Sequence, residues 1–235
     1  MKIFMLFLGF FMFTPIISSA IDSHNVLNAS QTNSQETVQD SDGNIYRTVK
    51  IGEQTWLAEN LRTTTYQDGS KVNTGFIPDD DANNLLTYGR LYDWHDATDE
   101  RNICPKGFRI ASDNDWKQLE KAIGISAQAV EQEGWRGEND IAITLMAERP
   151  DTFFKSFDQS QVNKHQFSAT PAGVKLGNWY ITQGMYTEFW TSSSASEKHA
   201  YARTLAYSWW NIHKGEIRRE KLTKRYMFSL RCVKI

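Results

Sequence analysis

Two cysteines, Cys104 and Cys232, stand far apart in a chain that opens with an export leader. Together these features constrain the fold more than anything else in the sequence. In an oxidising compartment an even cysteine count favours pairing, and two cysteines allow one intramolecular bridge. A bridge across so long a loop is worth ~5 kcal/mol in the chain-entropy model, with measured values often lower. The alternative is a pair of buried free thiols. A metal site is not expected, because two cysteines and five scattered His residues lack ligand spacing. Nothing else in the chain calls for a cofactor.

The leader reads in the order of a secretory signal peptide. Lys2 supplies the positive start, Ile3 to Phe13 form the apolar run, and Pro15 breaks it. Ser18-Ser19-Ala20 supply small residues for cleavage after Ala20. The apolar run is shorter than the ~20 residues that span a bilayer, so no membrane insertion is expected after cleavage. The absence of a cysteine behind the run argues against a lipid anchor there. Residues 1–20 are therefore expected to direct the protein to the periplasm or the medium. Residues 21–37 are polar and mixed and read as a flexible tether. One folded domain is expected over residues 38–235. A net charge of −2 points to neither nucleic acid nor an anionic membrane as partner.

Within the domain, Ile45, Arg47, Val49 and Ile51 alternate with Tyr46, Thr48 and Lys50, which predicts a strand. Asp42-Gly43 ahead of it is a hairpin turn signal. Asp40, Asp42 and Asn44 have the alternate spacing of a calcium loop. However, the glycine and the closing glutamate of such a loop are misplaced, and a plain turn is favoured. Asp79-Asp80-Asp81 reads as a solvated acidic loop.

A helix is predicted from Asp113 to Ile123, capped by Ser112 with Asp115 at the third helical position. Trp116, Leu119 and Ile123 form its apolar stripe, and Gly124 stops it. Further helices are expected over Ala127–Glu133 and Ile141–Glu148. From Phe167 onward, short aromatic and β-branched runs read as antiparallel strands, among them 178–181, 188–191 and 200–205. The class is α+β.

The order of motifs resembles the Fibrobacter succinogenes major paralogous domain, a bacterial extracellular family. It is carried by Asp42-Gly43-Asn44 with Tyr46, Val49 to Gly52, Trp56 to Arg62 and Tyr88 to Tyr92. Cys104 to Phe108, Ser112 to Trp116, Phe167-Ser168-Ala169, Phe189 to Ser193 and Phe228 to Val233 complete the series. The resemblance implies a relative of the C-type-lectin-like fold: twisted antiparallel sheets, one or two short helices, long loops and one disulfide. In that fold the helix after the first cysteine packs on a sheet whose last strand carries the second, so the resemblance also implies a Cys104–Cys232 bridge. The calcium-binding triplets of C-type lectins are absent, so calcium-dependent sugar binding is not implied. The cysteine pair of the formylglycine-generating enzymes on this fold is absent as well.

Asp93, His95, Asp96, Asp99 and Glu100 are the best catalytic candidates, since a His beside carboxylates suits acid–base work. No nucleophile elbow, phosphate loop or zinc motif accompanies them, and a surface loop is the commoner reading. The expected function is therefore a non-catalytic binding module for a glycan or a cell-surface protein. Adjacent strand residues face opposite ways, so one of Trp209 and Trp210 is expected to face solvent. With Asn211 and His213 they form the first part of a predicted aromatic surface, and Trp179 and Tyr180 the second. Tyr186 is a further contributor. Trp116 and Trp190 are expected in the core, and the basic run of Lys214, Arg218, Arg219, Lys221, Lys224 and Arg225 as a solvated hairpin. A structural subunit of an envelope assembly is the alternative function.

Overall fold

In the computed structural model, which describes residues 36–138, 140–149, 153–207, 213 and 215–235, the alternating segment is a strand. The leader, the tether up to residue 35, Trp209, Trp210, Asn211 and Lys214 lie outside the described residues. β1 (Thr37–Gln39) and β2 (Ile45–Ile51) form an antiparallel hairpin across the predicted turn. Donors of the protein itself take up the turn's carboxylates. Asp40 accepts from the backbone nitrogens of Asp42 and Asn44, both at 2.9 Å, and from the Tyr46 hydroxyl at 2.6 Å. Asp42 accepts from Thr63, Thr64 and Thr65. The favoured plain turn is what forms.

β3 (Gln54–Leu57) follows, then two one-turn helices, α1 (Leu85–Tyr88) and α2 (Trp94–Ala97). Next come β4 (Phe108–Ile110), α3 (Asp113–Ala122) and β5 (Gly134–Arg136). The C-terminal half adds β6 (Val174–Leu176), β7 (Trp179–Ile181), β8 (Tyr186–Ser194) and β9 (His199–Ala206). The chain ends with β10 (Ile217–Thr223), β11 (Tyr226–Met227) and β12 (Cys232–Lys234). The strands make three antiparallel sheets, ordered β1-β2-β3-β12-β4, β5-β10-β9-β8 and β11-β6-β7. Among the described residues no helix is long and apolar enough to cross a membrane.

The disulfide joins Cys104 to Cys232 across 128 positions. It ties the loop ahead of β4 to β12, the strand that pairs with β4. One core cluster surrounds it, with Tyr46, Leu57, Tyr92, Phe108, Trp190 and Phe228 all 3% exposed or less. The other lies under α3. There the rings of Trp116 and Trp56 are 5.3 Å apart, and Trp116 meets Phe189 at 5.2 Å. Both Trp116 and Trp190 are fully buried, as predicted.

The sequence signals around α3 hold in detail. Ser112 and Asp115 form a full capping box. The two weaker helices do not form. Ala129–Glu131 is a single 3-10 turn, and Val130 is its one buried residue. So short a segment has too little apolar contact to offset helix nucleation. Ile141–Leu145 is also a 3-10 turn, after which Met146 bridges to Ala169. Ala142 to Met146 are all buried, so the segment lacks the polar face of an amphipathic helix.

Among the described residues the basic run is solvated except at one position: Lys221 and Arg225 are exposed and Arg218 and Lys224 partly so, but Arg219 is inside. β10 sits between β5 and β9, and Arg219 is 5% exposed. Arg219 faces Arg203 directly across β10 and β9. Asp113 of α3 lies between them, accepting from Arg203 at 2.8 Å and from Arg219 at 2.9 and 2.8 Å. Two turns along α3, the buried Glu120 takes Arg203 and Arg136, each at 2.6 Å. Burial alone would raise the Asp113 carboxyl, but Arg219 and Arg203 outweigh it and hold it at about 2.

Two predictions follow from these ties. Replacing both cysteines by serine should remove about 2–5 kcal/mol of stability, read as a lower urea midpoint that reducing agent no longer changes. Because the folded Asp113 pKa is depressed, its contribution is present above about pH 4 and lost as pH falls towards 2. Asp113→Ala should cost about 3–5 kcal/mol at neutral pH and flatten that acid limb of the denaturation profile.

Candidate functional site

β5 leaves the sheet edge through Gly137, where a side chain would collide with Ile141. The chain can therefore fold back closely enough to wall a cleft of about 480 Å³. Ile125, Ala129 and Ile141 give it apolar surface, and Ser126, Gln132, Glu138 and Glu216 add polar groups. Strand alternation separates two β5 neighbours. Arg136 points to Glu120, whereas Trp135 is half-buried and sits opposite Arg218 of β10. The His213 ring stacks on Trp135 at 4.8 Å and 8°. His213 Nδ1 in turn lies 2.8 Å from Glu216 Oε2. An indole edge beside mixed donors and acceptors suits a hydroxyl-bearing ligand, which presents both apolar faces and hydrogen-bonding rims.

His213 is thus at this cleft, whereas Trp179, Tyr180 and Tyr186 are not among the residues lining it. Trp179 is 76% exposed on the outer face of β7, beside Ile181. Tyr180 points the other way. Its hydroxyl donates to Asp80 Oδ1 at 2.6 Å, and Lys175 Nζ lies 4.2 Å from its ring. Tyr186 opens β8 and pairs with Ala206. Trp135 belongs to the β5 edge of the four-stranded sheet, whereas β7 pairs with β6, which follows the bridge of Gly173 to Thr187 at the β8 edge. Three strand spacings, about 14 Å, separate those edges. Residues 208–212, with Trp209, Trp210 and Asn211, join the two regions in sequence. Tyr207 bonds to Met185 beside β8, and His213 stacks at β5.

The acidic candidates are bound into structure. Asp93 caps α2, accepting from Asp96 N at 2.7 Å. Asp96 is 3% exposed and accepts from the Tyr66 hydroxyl, Asn73, and both the backbone and hydroxyl of Thr74. Burial raises its carboxyl, but these bonds outweigh that and keep it below the usual range. Asp99 pairs with Arg101 at 2.7 Å, while His95 and Glu100 are exposed.

Glu188 of β8 is a different case, and the sequence reading did not single it out. It is 9% exposed, its Oε2 has no hydrogen-bond partner, and burial followed by repulsion from Glu220 raises it to about 8. Such a carboxyl resembles a general acid, but Glu188 is not among the residues lining the cleft.

The family model described as the Fibrobacter succinogenes major domain matches residues 49–234. The chain belongs to this family. No curated protein and no solved structure matches the chain. Every motif block from Val49 onward falls inside the Fibrobacter succinogenes major domain, and so does the cleft. The cleft residues Gln132, Trp135, Glu138 and Glu216 lie between those blocks. The available signal was a large aromatic between Gly134 and Gly137, where a bend is easy and a full strand is not.

The raised Glu188 carboxyl makes stability depend on pH. A raised folded pKa means that the unfolded state ionises first, so the group lowers stability as pH rises from about 4.5 to about 8. Glu188→Gln should stabilise the protein by about 1–3 kcal/mol at pH 8 and by little at pH 4. Denaturation at the two pH values checks it.

Proposed function

We propose that this chain is an exported, non-catalytic binding module that takes a glycan in the Trp135 cleft. The single observation that carries the reading is a half-buried indole edge in a cleft rimmed by Gln132, Glu138 and Glu216. Sugars combine apolar ring faces with hydroxyls that need both donors and acceptors, and this lining offers both. The engagement of Asp93, Asp96 and Asp99 in structural bonds supports binding over catalysis. Export to an oxidising compartment is supported by the disulfide and by the leader sequence. A C-type-lectin-like architecture is supported by the placement of α3 just after Cys104 and of Cys232 in the last strand.

The test is a panel of neutral glycans titrated onto the oxidised mature protein, followed by tryptophan fluorescence and calorimetry. Gln132→Ala with Glu216→Gln should weaken binding about tenfold or more, as expected for lost hydrogen bonds, with the melting temperature unchanged. Trp179→Ala should leave affinity intact. Loss of binding in Trp179→Ala, or only in a Trp209→Ala/Trp210→Ala double variant, would move the site to those residues. Absence of binding to the whole panel, with capture of an envelope protein instead, would favour the assembly role.

A further inference from the structure

A second cavity, of about 340 Å³, lies away from the Trp135 cleft. Its walls come from the β2–β3 region (Arg47, Glu59, Asn60), from α1 and the glycine after it (Leu86, Thr87, Gly89), and from Ala147, Ser168 and Thr170. Gly89 has φ 71, and a side chain there would come within 2.7 Å of Leu61 O, so only glycine lets α1 close on this wall.

The floor is pinned by a buried cation. Arg231 is fully buried and bonds to Asn60 Oδ1 at 3.0 Å and to the backbone carbonyls of Leu57, Phe167 and Ser168. None of these partners is a carboxylate. Burial lowers its pKa to about 9, so it remains charged at neutral pH. Asn60 and Ser168 therefore separate the cavity from a positive charge that bonds only to amide and carbonyl oxygens, with the Glu59 carboxylate acting on it through space.

Arginines outnumber carboxylates around the cavity. Arg90 bonds only to the carbonyls of Arg62 and Gly75. Glu59 is the one carboxylate in the lining, and it is shared between Arg47 at 3.2 Å and Arg62 at 3.0 Å. Burial raises the Glu59 carboxyl, but the bonds from Arg47 and Arg62 outweigh it and keep it ionised. Arg47 bonds Glu59 through its Nε, and its side chain is half exposed at the rim. Glu148, next in the chain to Ala147, is exposed and does not line the cavity.

From this arrangement we propose a second ligand site, for a small hydroxylated carboxylate of the hexuronate class. The carboxylate is held by the terminal nitrogens of Arg47, over the positive charge of Arg231. The hydroxyls exchange hydrogen bonds with Thr87, Ser168 and Thr170. The volume is at the lower end of small-molecule sites, which suits one sugar ring and excludes a folded partner. A guanidinium fork matches a carboxylate in two parallel bonds, so charge and shape agree on the class.

The experiment titrates D-glucuronate, D-glucose and inorganic phosphate onto the oxidised full mature chain, with backbone amide shifts and calorimetry as readouts. The expected result is glucuronate binding that shifts residues 59–60 and 168–170, weakens with salt, and greatly exceeds glucose binding. Arg47→Gln should weaken it about tenfold or more, as for a lost charge-assisted bond, and Thr170→Val should weaken it less. Arg47 is half exposed, so Arg47→Gln should keep the wild-type melting temperature. Equal affinity for glucose and glucuronate would overturn the proposal, as would phosphate binding as tightly as glucuronate. So would undiminished binding in Arg47→Gln, or no response to any of the three probes. Shifts confined to residues 132–138 and 216 would assign glucuronate to the Trp135 cleft instead and sink the second site while leaving the first standing.

Discussion

The contact on which most of this fold depends is Asp113 between Arg203 and Arg219. Two arginines directly opposite on paired strands repel each other, and the inner face of a sheet offers no water to screen them. Without the helix carboxylate, β9 and β10 would not hold their register with both guanidinium groups inside. With it, the repulsion becomes a three-way bridge that fixes where α3 lies. Glu120 repeats the device two helical turns further on and draws in Arg136 from β5. Replacing such a network with apolar side chains can be neutral for stability. What the charges supply is direction, because each carboxylate has one place to lie.

That placement reaches the candidate site. Arg136 is anchored to α3 and Trp135 is its neighbour, so the ion network sets where the indole emerges on the other face of β5. Arg231 has the corresponding role at the opposite side of the molecule. Its bonds to Asn60 and to the carbonyls of Phe167 and Ser168 join segments more than a hundred residues apart, and these segments wall the second cavity. In both places a buried arginine fixes the wall of an opening. Ligand contacts mounted on such walls need little ordering when they bind.

What could be read from the sequence was local. The Asp40–Asn44 turn, the β2 alternation and the capped α3 depend on contacts within a few residues, and each stands as its pattern indicates. The disulfide was legible for another reason, since two cysteines leave one pairing. The errors arise where distant partners decide. Arg219 looks like one more surface charge in a basic run until Asp113, from a helix a hundred residues earlier, takes it inside. Ile141 to Leu145 reads as a helix, but Ala142 to Leu145 are all buried, which leaves little solvent face, and the segment closes as a 3-10 turn.

The motifs that identify the family are mostly interior. Trp56, Tyr92, Trp116, Phe189, Trp190, Phe228 and Arg231 are all exposed by 1% or less. They specify a scaffold by packing and buried hydrogen bonding, which is why a family match carries information about fold more readily than about ligand. The two openings relate to that scaffold differently. The second cavity takes part of its wall, Glu59, Asn60, Gly89 and Ser168, from motif blocks, while Arg47, Thr87 and Thr170 lie outside them. The Trp135 cleft is lined by residues between the blocks, on a short edge strand and in turns. Apart from Arg136, whose bond to Glu120 holds the strand to α3, substitutions there leave the buried bonds of α3 and Arg231 in place. The scaffold therefore constrains part of the second cavity's wall chemically, while it fixes only the position of the Trp135 cleft.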